Sequence, residues 1–346
     1  MKILLATDAW PPQVNGVVRT MVTVTRELEA MGHQVTVLSP DRFRTIACPF
    51  YPEIRLALNA YGKASRIIAS VEPDAIHIVT EGPVGSAVRR WCVAKQFPFT
   101  TAYHTRFPEY LAVRFIAPRA LTYALLRRFH AKAAHVMVAT ETVRAELAAR
   151  GFTHLVPWSR GVDPSLFDPS LRGEIDGMKR PIFLSVGRVA QEKNLEAFLS
   201  LDLPGSKIVV GEGPALAGLK RRFPDTHFFG RRENGKLARI YASADVFMFP
   251  SRTDTFGLVM LEALASGTPV AAYPVPGPLD VIVDGSGAGV LDEDLRCGAL
   301  AALDLSREDC RAHALTFTWS HCARQFLDQL CPQSHQPAAE ELVPSR

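Results

Sequence analysis

Residues 247–278 read FMFPSRTDTFGLVMLEALASGTPVAAYPVPGP and predict one strand–loop–helix–strand unit. A short apolar run, 246–250, has the length of a buried strand. After a polar loop, a second apolar run, 258–265, has the length of a short helix and ends at Ser266-Gly267, where a helix C-terminal glycine is expected. A further apolar strand, 269–273, follows. The loop therefore lies at the carboxyl end of a parallel strand, where open α/β sheets bind ligands.

The residues around this loop predict a ligand that carries both phosphate and hydroxyl groups. A helix that opens near Phe256-Gly257 presents unpaired backbone N–H groups and the positive end of its dipole. Gly257 has no side chain to keep a phosphate away from the backbone. Asp254 in the loop and Glu262 in the helix are poor phosphate ligands but good acceptors for sugar hydroxyls. A nucleotide sugar combines both chemistries.

The same residues resemble the retaining glycosyltransferases of family 4, whose motif is E-x-F-G-x4-E. Here it runs from Asp254 through Phe256, Gly257 and Leu258 to Glu262, and its first acid is Asp, one methylene shorter than the usual Glu. The resemblance implies the GT-B fold, an α/β architecture of two Rossmann-like, doubly wound parallel-sheet domains that face a central cleft. The wording S-R-T-D-T-F-G is most similar to the branch of lipid glycosyltransferases and GDP-mannose-dependent mannosyltransferases.

Composition and charge exclude several other classes. With 346 residues, 47% of them hydrophobic and 21% charged, the chain is expected to form two globular domains. The net charge of +4 is too small to argue for nucleic acid. No apolar segment approaches the roughly 18 residues of a membrane span, and the N-terminus lacks a signal-peptide pattern. The six cysteines show no metal-binding spacing, so we expect reduced thiols in a cytoplasmic protein and no metal site.

Alternating strands and helices predict two wound domains with a connection between them. We expect an acceptor-side domain at 1–168, a linker at 169–180 and a nucleotide-sugar-binding domain at 181–315. A terminal helix, 316–331, is expected to cross back to the first domain, and a disordered tail, 332–346, follows. Within the first domain, a helix at 142–150 is predicted to be capped by Thr142.

Two elements of the first domain resemble the acceptor side of the family. Asn15-Gly16 stands at a strand-to-helix turn and is similar to the G-G loop near the donor phosphates and acceptor, with Asn in place of the first Gly. Taken alone, an Asn-Gly pair is more often an ordinary turn, and its place after the first strand makes the two interpretations equally good. His104 falls directly after a strand, in YHTRFPEY. The resemblance implies that it contacts the donor sugar or the acceptor hydroxyl.

Two further motifs belong to the second domain. Arg188 and Lys193, five residues apart across a turn that begins with glycine, have the chemistry to clamp a diphosphate, Arg as a bidentate fork and Lys as a point charge. They match the family's G-R-x4-K-N element. Gly211 and Gly213, in G-E-G-P, resemble its nucleotide-side loop. A dinucleotide fingerprint would need a third glycine where Leu216 stands, which counts against an oxidoreductase.

The segment 110–132 mixes apolar residues with Arg and Lys. This pattern is typical either of a helical surface that rests on anionic lipid or of a core-packed helix pair with a solvated basic face. Both interpretations stay open here, and the residues alone favour the core-packed helix pair.

These observations predict a hexosyltransferase that needs no metal or cofactor and uses a GDP- or UDP-linked sugar as substrate. Retention of configuration follows from the resemblance. The expected acceptor is a membrane lipid or glycolipid, reached through peripheral contact with an anionic membrane. A polysaccharide acceptor, a GT-B epimerase or hydrolase, and a non-catalytic nucleotide-sugar sensor remain alternatives.

Overall fold

The apolar runs of the first half form one six-stranded parallel sheet, in the order β2-β1-β5-β6-β7-β8. The computed structural model describes residues 1–48, 51–106, 108–109 and 118–333. The strands are β1 (Lys2–Ala6), β2 (Gln34–Leu38), β5 (Ala75–Ile78), β6 (Phe99–Tyr103), β7 (Val136–Val138) and β8 (Leu155–Pro157). A separate antiparallel hairpin joins β3 (Thr45–Cys48) to β4 (Tyr51–Ala57).

Helices cover both faces of this first sheet, as expected for parallel strands that are joined by crossovers. The alternate residues of β1 pack into two different apolar clusters, one on each side of the sheet. The helices are α1 (Gly16–Ala30), α2 (Ala60–Val71), α3 (Pro83–Lys95), α4 (Arg119–His130) and α5 (Glu141–Ala149).

The second half repeats the architecture, in the order β11-β10-β9-β12-β13-β14, again with every pair parallel. Its strands are β9 (Ile182–Val186), β10 (Ser206–Val210), β11 (His227–Gly230), β12 (Val246–Phe249), β13 (Val270–Ala272) and β14 (Gly289–Leu291). Its helices are α6 (Leu195–Leu199), α7 (Leu216–Arg222), α8 (Asn234–Ser243), α9 (Leu258–Ala265), α10 (Pro278–Val281), α11 (Leu295–Ala301) and α12 (Arg307–Ala314). The predicted fold class of two doubly wound parallel sheets is confirmed.

The last described helix, α13 (Trp319–Gln329), packs against α1 and joins the apolar cluster on one face of the first sheet. Its Phe326 is fully buried in the cluster of Trp158 and Met21, and the Trp158 indole N–H donates to the Cys322 carbonyl at 3.1 Å. Asp245 accepts hydrogen bonds from Arg172 and Arg180 and so fastens the connecting segment to the second sheet. The domain boundaries themselves stay a prediction. The tail from residue 334 and residues 110–117 of the basic segment lie outside the described residues.

One predicted cap is wrong. Thr140, not Thr142, is the N-cap of α5, and its hydroxyl accepts from the Val143 N–H at 3.4 Å. Thr142 instead donates from its backbone N–H to Asp280 at 3.0 Å, and its hydroxyl also contacts that carboxylate. Thr142 therefore binds a partner that is distant in sequence and does not cap α5, as its local sequence pattern had predicted.

Candidate functional site

The carboxyl edges of the two sheets face each other. The Thr255 hydroxyl, in the loop after β12, donates to the His104 carbonyl after β6 at 2.8 Å. A Cβ placed on Gly16 would lie 3.8 Å from Leu258 Cδ1, which puts the first turns of α1 and α9 in van der Waals reach. Loops from both halves therefore line one crevice, which we call the cleft.

The strand order places the predicted motifs at the switch point of the second sheet. That sheet winds one way through β9, β10 and β11 and the other way through β12, β13 and β14. The loop with Arg188 and Lys193 follows β9, and the loop with Asp254 and Gly257 follows β12, which is paired with β9. Ligands of open α/β sheets bind in the crevice between such loops.

Gly257 begins α9 in a conformation that requires glycine. Its φ is 90°, and a Cβ would lie 2.8 Å from Met260 Cε and 2.9 Å from Phe249 Cζ. Phe256 beside it is buried and anchors the loop. Because the N-cap residue has no side chain, it offers no oxygen to the first amides of the helix. The helix end therefore has the chemistry of an anion site.

Lys193 and Asp254 lie in direct contact as an ion pair, both about three-quarters buried or more. The two loops that carry them also touch through the Thr253 hydroxyl, which donates to the Glu192 carbonyl at 3.3 Å. Arg188, half-buried, begins the loop that Lys193 ends. A cation and a carboxylate beside a glycine-capped helix end are the groups that a sugar diphosphate needs.

Glu262 reaches across the cleft. Its carboxylate, 5% exposed, contacts the guanidinium of Arg19 on α1, whose side chain is 42% exposed. Burial raises the pKa of Glu262, and the charge of Arg19 opposes that rise. The buried Tyr241 hydroxyl lies close to this carboxylate and also opposes the rise. The two predicted acids thus serve different parts of the cleft, Asp254 with Lys193 and Glu262 with Arg19.

On the first-domain side of the cleft, Asn15 caps α1, because its side-chain oxygen accepts from the Val18 N–H at 3.0 Å. His104 lies edge-on to Trp158, with ring centroids 5.5 Å apart. Burial first, and then the charge of Arg160, hold the pKa of His104 well below its usual value. The imidazole is therefore neutral at physiological pH.

The comparisons with known proteins agree with this geometry. The model described as Glycosyltransferase Family 4 matches residues 14–166, and the model described as Glycosyl transferases group 1 matches residues 172–302. A GDP-mannose-dependent alpha-mannosyltransferase of Mycobacterium tuberculosis is 30% identical over 82% of this chain and 81% of its own. The chain belongs to glycosyltransferase family 4. An alpha-monoglucosyldiacylglycerol synthase of Streptococcus pneumoniae is 29% identical over 91% of this family 4 chain and 81% of its own.

The fold of this family 4 chain is GT-B. A sucrose-phosphate synthase from Thermosynechococcus elongatus superposes with a TM-score of 0.76 over 94% of this chain and 97% of its own, at 20% sequence identity. Within the described ranges, no helix of the chain combines the length and the apolar character that a membrane crossing needs.

Gly211 and Gly213 have a structural reason to be glycine. A Cβ on Gly211 would lie 1.8 Å from the Gly187 carbonyl oxygen, and one on Gly213 would lie 2.3 Å from that of Val189. The Val189 N–H also donates to the Glu212 carbonyl at 2.9 Å. These glycines let the loop after β10 pack on the loop that carries Arg188. Their contact with a nucleotide stays a prediction.

Gly211→Ala is therefore expected to destabilise the protein by about 3 kcal/mol or more, because the backbone must shift to relieve the overlap and φ is 143°. Urea unfolding followed by circular dichroism measures this. Gly218→Ala is the matched control, since a Cβ there meets nothing within 4 Å inside α7. It is expected to be neutral or to stabilise by up to about 1 kcal/mol. Equal stability of the two variants would contradict the steric argument.

Sequence reasoning missed two arginines of the site. Arg19 lies one turn into α1, three residues after Gly16, and this position after the loop glycine was a signal for its place at the cleft. Arg160, three residues after the end of β8, is the second. It is 4% exposed, and its guanidinium lies 4.3 Å from the centre of the Trp158 ring. No local pattern marks it as the neighbour of His104.

Proposed function

We propose that this protein transfers a hexosyl group, mannosyl, glucosyl or hexuronosyl, from a nucleoside-diphosphate sugar to a membrane lipid or glycolipid, with retention and without a metal. The Lys193–Asp254 ion pair beside the glycine-capped end of α9 carries the proposal. It offers a cation for the diphosphate and a carboxylate for the sugar hydroxyls at one helix end.

In this proposal each group has one role. Arg188, Lys193 and the first amides of α9 stabilise the negative charge that grows on the departing nucleoside diphosphate. Fixed cations and helix-end donors do this work without a metal ion. Glu262 holds ribose hydroxyls and Asp254 holds donor-sugar hydroxyls. Asn15 and Gly16 close the cleft from the first domain, opposite Leu258. Retention rests on membership of the family.

The names of the relatives support a mannosyl or glucosyl donor and a lipid acceptor. One relative is called a GDP-mannose-dependent alpha-mannosyltransferase, and another is called an alpha-monoglucosyldiacylglycerol synthase. The donor base, guanine or uracil, is left to the experiment below.

The surface of α4 supports peripheral contact with an anionic membrane. Leu121 and Leu125, one turn apart, are 59% and 60% exposed. Arg128, one turn further along α4, and Lys132, just after the helix ends, are exposed as well. An apolar and basic face of this kind suits a helix that lies in the interface of an anionic bilayer. We therefore assign the acceptor to that surface and place the protein in the cytoplasm at the inner face of the membrane.

The test is a panel of labelled GDP-mannose, UDP-glucose and UDP-glucuronate, each with and without vesicles of phosphatidylcholine and phosphatidylglycerol that contain diacylglycerol or phosphatidylinositol. We expect one donor to give a lipid-extractable product, only with vesicles, at a rate that EDTA does not change and that rises with the fraction of anionic lipid. Donor consumption without any acceptor would instead indicate an epimerase or hydrolase. Calorimetric donor binding without transfer to lipid or to an oligosaccharide would indicate a sensor.

A further inference from the structure

Arg160 is a buried cation that its own segment holds in place. One terminal nitrogen, Nη1, donates to the Trp158 carbonyl at 2.7 Å and to the Ser159 carbonyl at 2.8 Å. The guanidinium lies over the Trp158 ring. In the ranges that the structure describes, no carboxylate lies within ion-pair distance of it. Burial lowers the pKa of Arg160 to about 10, so it is still charged at neutral pH.

The other terminal nitrogen of Arg160, Nη2, lies 3.4 Å from His104 Nδ1. A guanidinium has only N–H donors and no acceptor, so Nδ1 must present its lone pair to it. A neutral imidazole whose Nδ1 is an acceptor carries its proton on Nε2. The contact therefore selects one of the two tautomers of His104.

The Nε2–H of this tautomer donates to no group among the described residues. His104 Nε2 is also buried. The residue itself is fixed at its backbone, because its carbonyl accepts from Thr255 beside Asp254. An N–H that is buried, unpartnered and fixed at the cleft edge is an unused donor for a ligand oxygen.

The remaining groups around the ring do not supply or remove that proton. His77 lies on β5, and its Nδ1 is paired with the Thr100 hydroxyl at 2.8 Å. Burial lowers the pKa of His77 to about 3. His130 on α4 is paired with the Thr101 hydroxyl at 2.8 Å and lies 3.3 Å from a Glu81 oxygen. Trp158 presents its ring edge-on to His104. Arg160 is thus the charged group in hydrogen-bond contact with the imidazole, among the residues described.

We propose that Arg160 is a positioning residue that holds His104 as the Nε2–H tautomer, so that His104 donates a hydrogen bond to a hydroxyl oxygen of the bound sugar and does not act as a base. The identity of that oxygen rests on the proposed function. The tautomer does not, since it is set in the free protein.

The first test is imidazole ¹⁵N spectroscopy of the free, full-length protein labelled at histidine, from pH 6 to 8. The His104 signals, among those of ten histidines, are identified by their loss in His104→Gln. We expect an unprotonated Nδ1 and a protonated Nε2 throughout. A protonated Nδ1, or an imidazolium at pH 6, would overturn the proposal whether or not the protein transfers sugar.

Arg160→Met tests the cause of that tautomer. We expect the single tautomer to give way to a mixture, and Arg160→Lys, which keeps a cationic donor, to restore it in part. A folded Arg160→Met protein with an unchanged tautomer would show that Arg160 has no such role. If the methionine variant does not fold, the wild-type spectrum and the lysine variant still decide the point.

Activity variants of His104 test its use as a donor. The amide of Gln reaches the place of Nε2–H, so we expect His104→Gln to keep kcat within about tenfold of wild type, and His104→Ala to lose about a hundredfold. His104→Glu, which supplies a base without a donor, should be as poor as Ala. Rescue by Glu and not by Gln would overturn the donor role.

Discussion

Replacing Arg188 and Lys193 together by methionine is expected to lower kcat/KM for sugar transfer by about a thousandfold or more, with the fold intact. Loss of one fixed donor to developing charge costs about 10²–10³ in rate, and in the proposed function both cations act on the same diphosphate. Both side chains belong to the loop after β9 and not to a strand or to an apolar core. Methionine keeps most of their length, so the loop should keep its course.

Lys193 has a second effect in this variant, because it is the partner of Asp254. Its loss leaves a partly buried carboxylate in the cleft, which also repels the diphosphate. We therefore expect Lys193→Met alone to weaken donor binding more than Arg188→Met does. Calorimetric titration with the nucleoside diphosphate separates this effect on affinity from the effect on turnover.

The matched control is Lys220→Met with Arg221→Met, two exposed cations on α7 in the same half of the chain. It removes the same net charge without touching the cleft. Near-normal turnover is expected there, and thermal unfolding of both double variants reports on folding. If the Arg188/Lys193 variant stays within tenfold of wild type, these residues do not hold the diphosphate.

The sequence predicted the sheets well because buried parallel strands are short apolar runs that end in glycine or polar loops. The short helix predicted at 258–265 is α9, with the same bounds. The hairpin of β3 and β4 was not predicted. It is a two-stranded sheet of its own, outside the alternation of strands and helices, and Pro52, Glu53 and Arg55 interrupt the apolar pattern of β4.

The sequence motifs of the site could be predicted, but the contacts between their residues could not. Lys193 and Asp254 were each predicted from a local pattern, but their contact joins residues 61 positions apart. Arg19 and Glu262 are 243 positions apart, and Arg160 and His104 are 56 apart. Such pairs follow from how the two sheets face each other, which no local periodicity contains. The same holds for Thr142, whose partner Asp280 comes from the other half of the chain.

Glu262→Gln is expected to lower kcat/KM by about a hundredfold, mainly through a higher KM for the donor. Gln keeps the shape but loses the charge, and a hydrogen bond to a charged group is worth about 1.5–3 kcal/mol. Ribose hydroxyls lie far from the reacting bond, so their contact is made equally in the ground state and the transition state. Loss of such uniform binding raises KM and leaves kcat nearly unchanged.

Arg19→Met separates the ribose contact from the closure of the cleft. The Arg19 side chain is 42% exposed, so solvent screens its charge, and the proposed function gives it no contact with the donor. A KM change below about tenfold is therefore expected at pH 7.5. Arg19 is the largest influence that opposes the effect of burial, so its loss raises the pKa of Glu262 further. The carboxylate then protonates at a higher pH than in wild type, and the activity of Arg19→Met should fall more steeply as the pH drops from 7.5 towards 5.5.

The double variant Arg19→Met with Glu262→Gln decides between the two roles of Glu262. If the Glu262 carboxylate binds the ribose, the double variant should be little less active than Glu262→Gln alone. Its activity should also depend on pH in the same way as that of Glu262→Gln, because neither variant has an ionisable carboxylate at this position. If Glu262 serves only to hold the two halves together through Arg19, each single variant should lower activity equally. The exposed pair Glu196 and Arg222, replaced by Gln and Met, is the control for charge loss away from the cleft. A donor KM for Glu262→Gln equal to that of this control would remove the ribose contact from the proposed function.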